Sequence, residues 1–162
     1  MLAFLFHNDM EHNTGVMEIQ VENDNAGVIL SPKWLVYFFL THRGENIIRE
    51  WLDRERVAKT QIADFQAKID TFERGGPDLS PGLIVGPVAK NIYKMKIKGN
   101  KGHVQLRPML CYGPFGEAEI TLLVGAIEKD FKLRPDNWKE LARENREILM
   151  ADPRRRIRER LA

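Results

Sequence analysis

The chain has 162 residues, 43% of them hydrophobic and 30% charged, with a formal net charge of +2 and one cysteine, Cys111. That length and composition suit one globular domain with a single core, and a lone cysteine excludes an internal disulfide and every zinc-finger spacing, which fits a reducing cytoplasm. The six-residue apolar opening lacks the basic flank of a signal peptide, and no run approaches the roughly 18 apolar residues of a membrane span, so no membrane partner is expected.

Residues 1–32 carry Asp9, Glu11, Glu18, Glu22 and Asp24 and no Lys or Arg. They read as an acidic N-terminal extension holding one or two strands, at 16–21 and 28–30, around an Asn-Asp-Asn-Ala-Gly turn. His7 and His12 lie five apart, which is not a one-face helical spacing, and they are not taken as metal ligands. Residues 34–40 (Trp-Leu-Val-Tyr-Phe-Phe-Leu) predict a strand buried on both faces. A short amphipathic helix follows over 45–53, with Ile47, Ile48, Trp51 and Leu52 on its apolar side. A longer one carries Ile62, Phe65, Ile69 and Phe72 and stops at Arg74, before Gly75-Gly76-Pro77. Both stripes read as core. Residues 77–87, rich in proline and glycine, predict a loop.

Residues 91–112 form the most distinctive stretch. They contain Lys94, Lys96, Lys98, Lys101 and Arg107 and no acid. Within 92–98 the lysines alternate with Tyr93, Met95 and Ile97, so a strand there has one apolar face and one row of ammonium groups. Gly99-Asn100-Lys101-Gly102 suits a hairpin turn. Such a basic face binds phosphates, or it protects an edge strand from aggregation, since alternating lysines serve that purpose too. Residues 119–127 are almost wholly apolar and complete a meander. A last helix begins near Pro135 with Asp136 as N-cap and an apolar stripe of Trp138, Leu141, Ala142, Ile148 and Leu149. Asp152-Pro153 restarts a short helix, whose arginines (Arg154, Arg155, Arg156, Arg158, Arg160) make a basic C-terminal tail that touches nucleic acid or is simply solvated. The expected fold is α+β: a small antiparallel sheet with helices on one face. The divisions are the extension at 1–32, a main domain at 33–150 and the tail at 151–162. Neither a P-loop nor a dinucleotide fingerprint is present.

Taken in order, several short motifs resemble the RelE/HigB superfamily, the toxin halves of bacterial and phage toxin–antitoxin pairs. Arg43-Gly44 followed by Glu50-Trp51-Leu52 is similar to the family's glycine turn and Glu-Trp-Leu helix. Ile92-Tyr93-Lys94-Met95-Lys96 is similar to its Leu-Tyr-Glu-Leu-Arg strand, and Gln105-Leu106-Arg107 with Pro108-Met109-Leu110 to the next strand. Residues 122–135 match the length of the segment that ends in a lysine pair and a proline, and Ala142 stands where the family has a helix alanine. The resemblance implies a RelE-like fold and a phage-derived, HigB-like ribosome-dependent mRNA endonuclease. It would attack the adjacent phosphate with a ribose 2′-OH, without metal or cofactor, and a cognate antitoxin, often helix-turn-helix, would neutralise it. Carried over by position, Lys96, Arg107 and Lys129 are the catalytic cations. Of these Arg107 is the strongest, because guanidinium stays charged and can bind phosphate bidentately. His103 and Glu128 are candidate acid–base groups, with a bystander histidine and a solvated Glu128–Lys129 pair as the plain alternatives. Lys94, Lys98, Lys101, Lys132 and Arg134 would hold RNA. The chain departs from the pattern at Asp130, which replaces the second lysine of the pair, at Lys96, which replaces an arginine, and at Pro108, which interrupts a strand. A catalytically weak RNA-binding or protein-interaction module with the same fold is the alternative.

Overall fold

The structure, a computed structural model, describes residues 31–99 and 104–162. The chain divides into two units, Met1–Ser31 and Pro32–Ala162, and the description concerns the second. The strands expected at 16–21 and 28–30, His7 and His12, and the hairpin residues Lys101 and His103 lie outside the described residues.

The elements run β1 (Leu35–Phe39), α1 (Ile47–Arg54), α2 (Lys59–Gly75), β2 (Ile84–Ala89), β3 (Ile92–Met95), β4 (Gln105–Leu106), β5 (Met109–Tyr112), β6 (Glu119–Val124), β7 (Ile127–Lys129), β8 (Lys132–Arg134), α3 (Trp138–Ala151) and β9 (Arg156–Ile157). The α+β class expected from the sequence is what forms. A six-stranded sheet has the order β2-β3-β5-β6-β1-β9, and a three-stranded ribbon the order β4-β7-β8. Two points of the expected architecture are corrected. One neighbouring pair, β1 with β6, is parallel, with Val36 opposite Ile120 and Phe38 opposite Leu122. The helices also lie on both faces. Alternate residues of β5 and β6 point to opposite sides. Leu110, Ile120 and Leu122 pack with Trp51 and Leu52 of α1 and Phe65, Ile69 and Phe72 of α2. Met109, Cys111 and Leu123 pack with Ala142 and Leu149 of α3. All six residues of β6 are buried, so Leu122, Leu123 and Val124 run on without apolar–polar alternation, while Glu119 and Thr121 are buried polar exceptions.

The helix ends follow local chemistry. Asn46 Oδ1 accepts from the Ile48 and Arg49 N–H groups at 2.9 and 3.2 Å and caps α1. α2 ends at Gly76, which has φ +62 and lies where a Cβ would collide with the Trp34 indole, so glycine answers both demands. The N-cap of α3 is Asn137 rather than Asp136. Residues 84–87, expected as loop, belong to β2, where Pro87 is tolerated because the strand is at the sheet edge.

The long strands break together. Pro108 separates β4 from β5 and is followed by a register shift at Met109/Leu110, as a residue without an N–H requires. Opposite it, Gly125-Ala126 separates β6 from β7. The Trp51 ring lies so close over Gly125 that a Cβ there would overlap it. Arg107 N still donates to Ala126 O at 2.8 Å, so the ribbon stays tied to the sheet across the break.

The basic tail is not a free helix. Residues 156–157 form β9, antiparallel to β1 at Phe38 and Phe39, and Leu161 is buried with its N–H on Gln66 Oε1 at 2.6 Å. Every arginine of the tail has a partner. Arg154 meets Asp152 at 3.0 Å, Arg158 meets Glu73 at 3.0 Å and Arg160 meets Asp70 at 3.1 Å. Arg155 donates to Leu40 O at 2.9 Å. Arg156 lies 3.1 Å from Glu119, both side chains buried, with its guanidinium 3.7 Å over the Tyr37 ring. The short helix expected after Asp152-Pro153 does not form, because strand pairing against β1 depends on residues more than a hundred positions away.

Candidate nucleic-acid interface

α2, the turn at 79–83 and the strand segments around β3 and β4 enclose an open cleft of about 1020 Å³. Lys96 and Lys98 line it from the segment after β3, Gln105 from β4 and Arg107 from just beyond it, Asp64, Lys68 and Thr71 from α2, and Ser80 from the turn. Four cations thus face one carboxylate, among the described residues, within a space comparable to the Debye length at physiological salt. Lys96 and Lys98 are exposed, while Met95 and Ile97 between them are buried, as the alternation predicted. Tyr93 is only half-buried and Ile92 is buried on the other face, against the α3 cluster.

Arg107 is the fixed point of this surface. It is only 7% exposed. Its Nε donates to Glu128 Oε1 at 2.9 Å, and its Nη1 donates to the carbonyls of Leu106 at 3.0 Å and Ile97 at 3.4 Å. Nη2 alone is not committed to a described protein acceptor. The basic strand contains no acid of its own, but antiparallel pairing of β4 with β7 sets Gln105 opposite Glu128 and brings that carboxylate alongside. Glu128 therefore pairs with Arg107, and with Lys94 at 3.9 Å, rather than with its neighbour Lys129. Its position is that of a residue that orients a guanidinium.

Of the residues singled out in the sequence, Lys96, Lys98 and Arg107 come together in the cleft, Glu128 joins them through Arg107, and Lys94 through Glu128. Lys129, Lys132 and Arg134 do not line it. They are exposed along the β7–β8 ribbon. Lys68, Thr71, Ser80 and Asp64 were missed. Asp64, Lys68 and Thr71 form an i, i+4, i+7 polar stripe beside the apolar Phe65, Ile69 and Phe72. That stripe was legible as a helix face, but nothing in the sequence says that it looks into a cleft.

Away from the cleft, Cys111, Tyr112 and Glu119 are shifted by their surroundings. Burial pushes the Cys111 thiol up to about 11, so it is no nucleophile at neutral pH. Burial, with Tyr93 beside it, raises the Tyr112 phenol. Burial also opposes ionisation of Glu119, but N–H donors of Gly116 and Phe115 and the Arg156 charge outweigh it and hold the carboxyl below its usual range. No described helix is long and apolar enough to cross a membrane. No protein-family model, no curated protein and no solved structure matches the chain, so the likeness to RelE/HigB toxins rests on the short motifs alone.

Proposed function

We propose that the chain is an endoribonuclease toxin of the RelE/HigB type, which holds RNA in the cleft between α2 and β3–β4 and cleaves ribosome-bound mRNA until an antitoxin occupies it. The observation that supports this is the setting of Arg107, a guanidinium pre-oriented by Glu128 at the floor of a cleft lined by Lys68, Lys96 and Lys98. When a ribose 2′-oxygen bonds to the adjacent phosphorus and the 5′-oxygen departs, negative charge grows on the non-bridging oxygens. Fixed cations stabilise that charge without reorganising. The 2′-proton must pass to a base and the 5′-oxygen must receive a proton. Asp64 is the carboxylate of the described lining, and His103 remains the sequence's candidate for either role.

One observation favours a second reading, an RNA-binding module with little catalysis. Two of the three Arg107 nitrogens are already engaged by protein acceptors, so the bidentate fork is not free for phosphate. Induced expression with primer extension on translated mRNA separates the two. Growth arrest with new mRNA ends, both lost in Arg107→Ala, supports the toxin. RNA binding by the purified chain without new ends supports the module. Neither ends nor binding rejects both.

A further inference from the structure

β7 and β8 are joined by a two-residue turn, Asp130-Phe131, with φ +52 and +65. Two positive φ values are the geometry of a type I′ hairpin, whose relaxed sequences are Asn-Gly and Asp-Gly. Here a phenylalanine stands where glycine belongs. Positive φ is disfavoured for a bulky side chain, and no burial offsets the cost, because Phe131 is 98% exposed. The flanking pair repeats the pattern. Lys129 and Lys132 are directly opposite in register, both exposed, and like charges across a strand pair repel. Arg134 adds a third exposed cation two residues on. The salt bridges of the described residues include none of the three. Stability accounts for none of these choices, whereas a ligand with flat apolar faces and anionic groups would use all of them.

We propose that the β7–β8 tip is a docking site for single-stranded RNA, with an unpaired base stacked on the Phe131 ring and the flanking phosphates held by Lys129, Lys132 and Arg134. The site is distinct from the cleft, and it rests on the reading that this protein binds RNA. It would engage a stretch of the same strand outside the reacting nucleotides. Duplex RNA would not use it, since paired bases offer no free face to an aromatic side chain.

The test measures binding of a fluorescein-labelled single-stranded 20-mer RNA and its duplex form to the full chain by anisotropy. It uses Phe131→Gly, Phe131→Trp and Lys96→Gln, with thermal unfolding in parallel. Phe131→Gly should weaken single-strand affinity roughly ten- to a hundredfold, as loss of one base stack does. It should spare duplex affinity and leave the unfolding midpoint unchanged or higher, since glycine relaxes the turn. Phe131→Trp should keep or improve affinity. Equal single-strand affinity of wild type and Phe131→Gly, with loss confined to Lys96→Gln, would overturn the proposal while leaving the cleft reading intact. No RNA binding by the wild type would overturn both. A Phe131→Gly defect seen only with anionic phosphatidylserine vesicles would assign the tip to a membrane surface instead.

Discussion

The guanidinium of Arg107 and the carboxylate of Glu128 meet at 2.9 Å with the arginine almost fully buried. The pair therefore serves both the fold and the cleft. Arg107→Ala should remove RNA cleavage and also destabilise the protein by about 3 kcal/mol, because it leaves a part-buried carboxylate with only Lys94 at 3.9 Å. Arg107→Lys with Glu128→Gln, analysed as a double-mutant cycle by urea unfolding, should give a coupling of about 0.5–3 kcal/mol. Additive effects would mean that the two groups do not interact in solution.

Lys96 and Lys98 are exposed, and among the described residues their side chains enter no salt bridge. Lys96→Gln and Lys98→Gln should each change stability by less than about 0.5 kcal/mol. Each should also lower the slope of log affinity for single-stranded RNA against log salt by about 0.7. An unchanged slope would remove that lysine from the phosphate contacts.

Trp51 lies on Gly125 where β6 gives way to β7. Gly125→Ala should cost about 1–3 kcal/mol by overpacking, seen as a lower midpoint in thermal unfolding monitored through tryptophan fluorescence. A neutral substitution would show that α1 can retreat from the sheet.

Acid should loosen the C-terminal strand. The Asp70 carboxyl, opposed by burial but bonded by Arg160 and Gln66, and that of Glu119 are both held below their usual values. A folded-state value lowered in this way contributes stability above the unfolded value of about 4, and that contribution is lost as pH falls through the folded value. The unfolding midpoint should therefore drop below about pH 4. Glu119→Gln should cost on the order of 3 kcal/mol at pH 7 by leaving Arg156 buried without its partner. Its stability should then depend less on pH in the acid range, and an unaltered acid profile would exclude Glu119 as a contributor.

Local periodicity and punctuation were enough to place β1, α1, α2, β6 and α3 within a few residues. Their apolar spacing and Gly75-Gly76-Pro77 act through neighbours one to four positions away. The lysine row of 94–98 was equally legible, since alternation along a strand is a property of the backbone. What the chain alone could not settle was every relationship between distant segments. The parallel pairing of β1 with β6 and the placement of α3 on the opposite face from α1 and α2 depend on how apolar faces share a sheet buried on both sides. The conversion of the arginine-rich tail into β9 depends on Glu73, Asp70 and Glu119 meeting it. The same holds at the cleft. Arg107 seemed to stand free of acids because Glu128 is 21 residues away, and cross-strand register, not sequence distance, decides which charges meet.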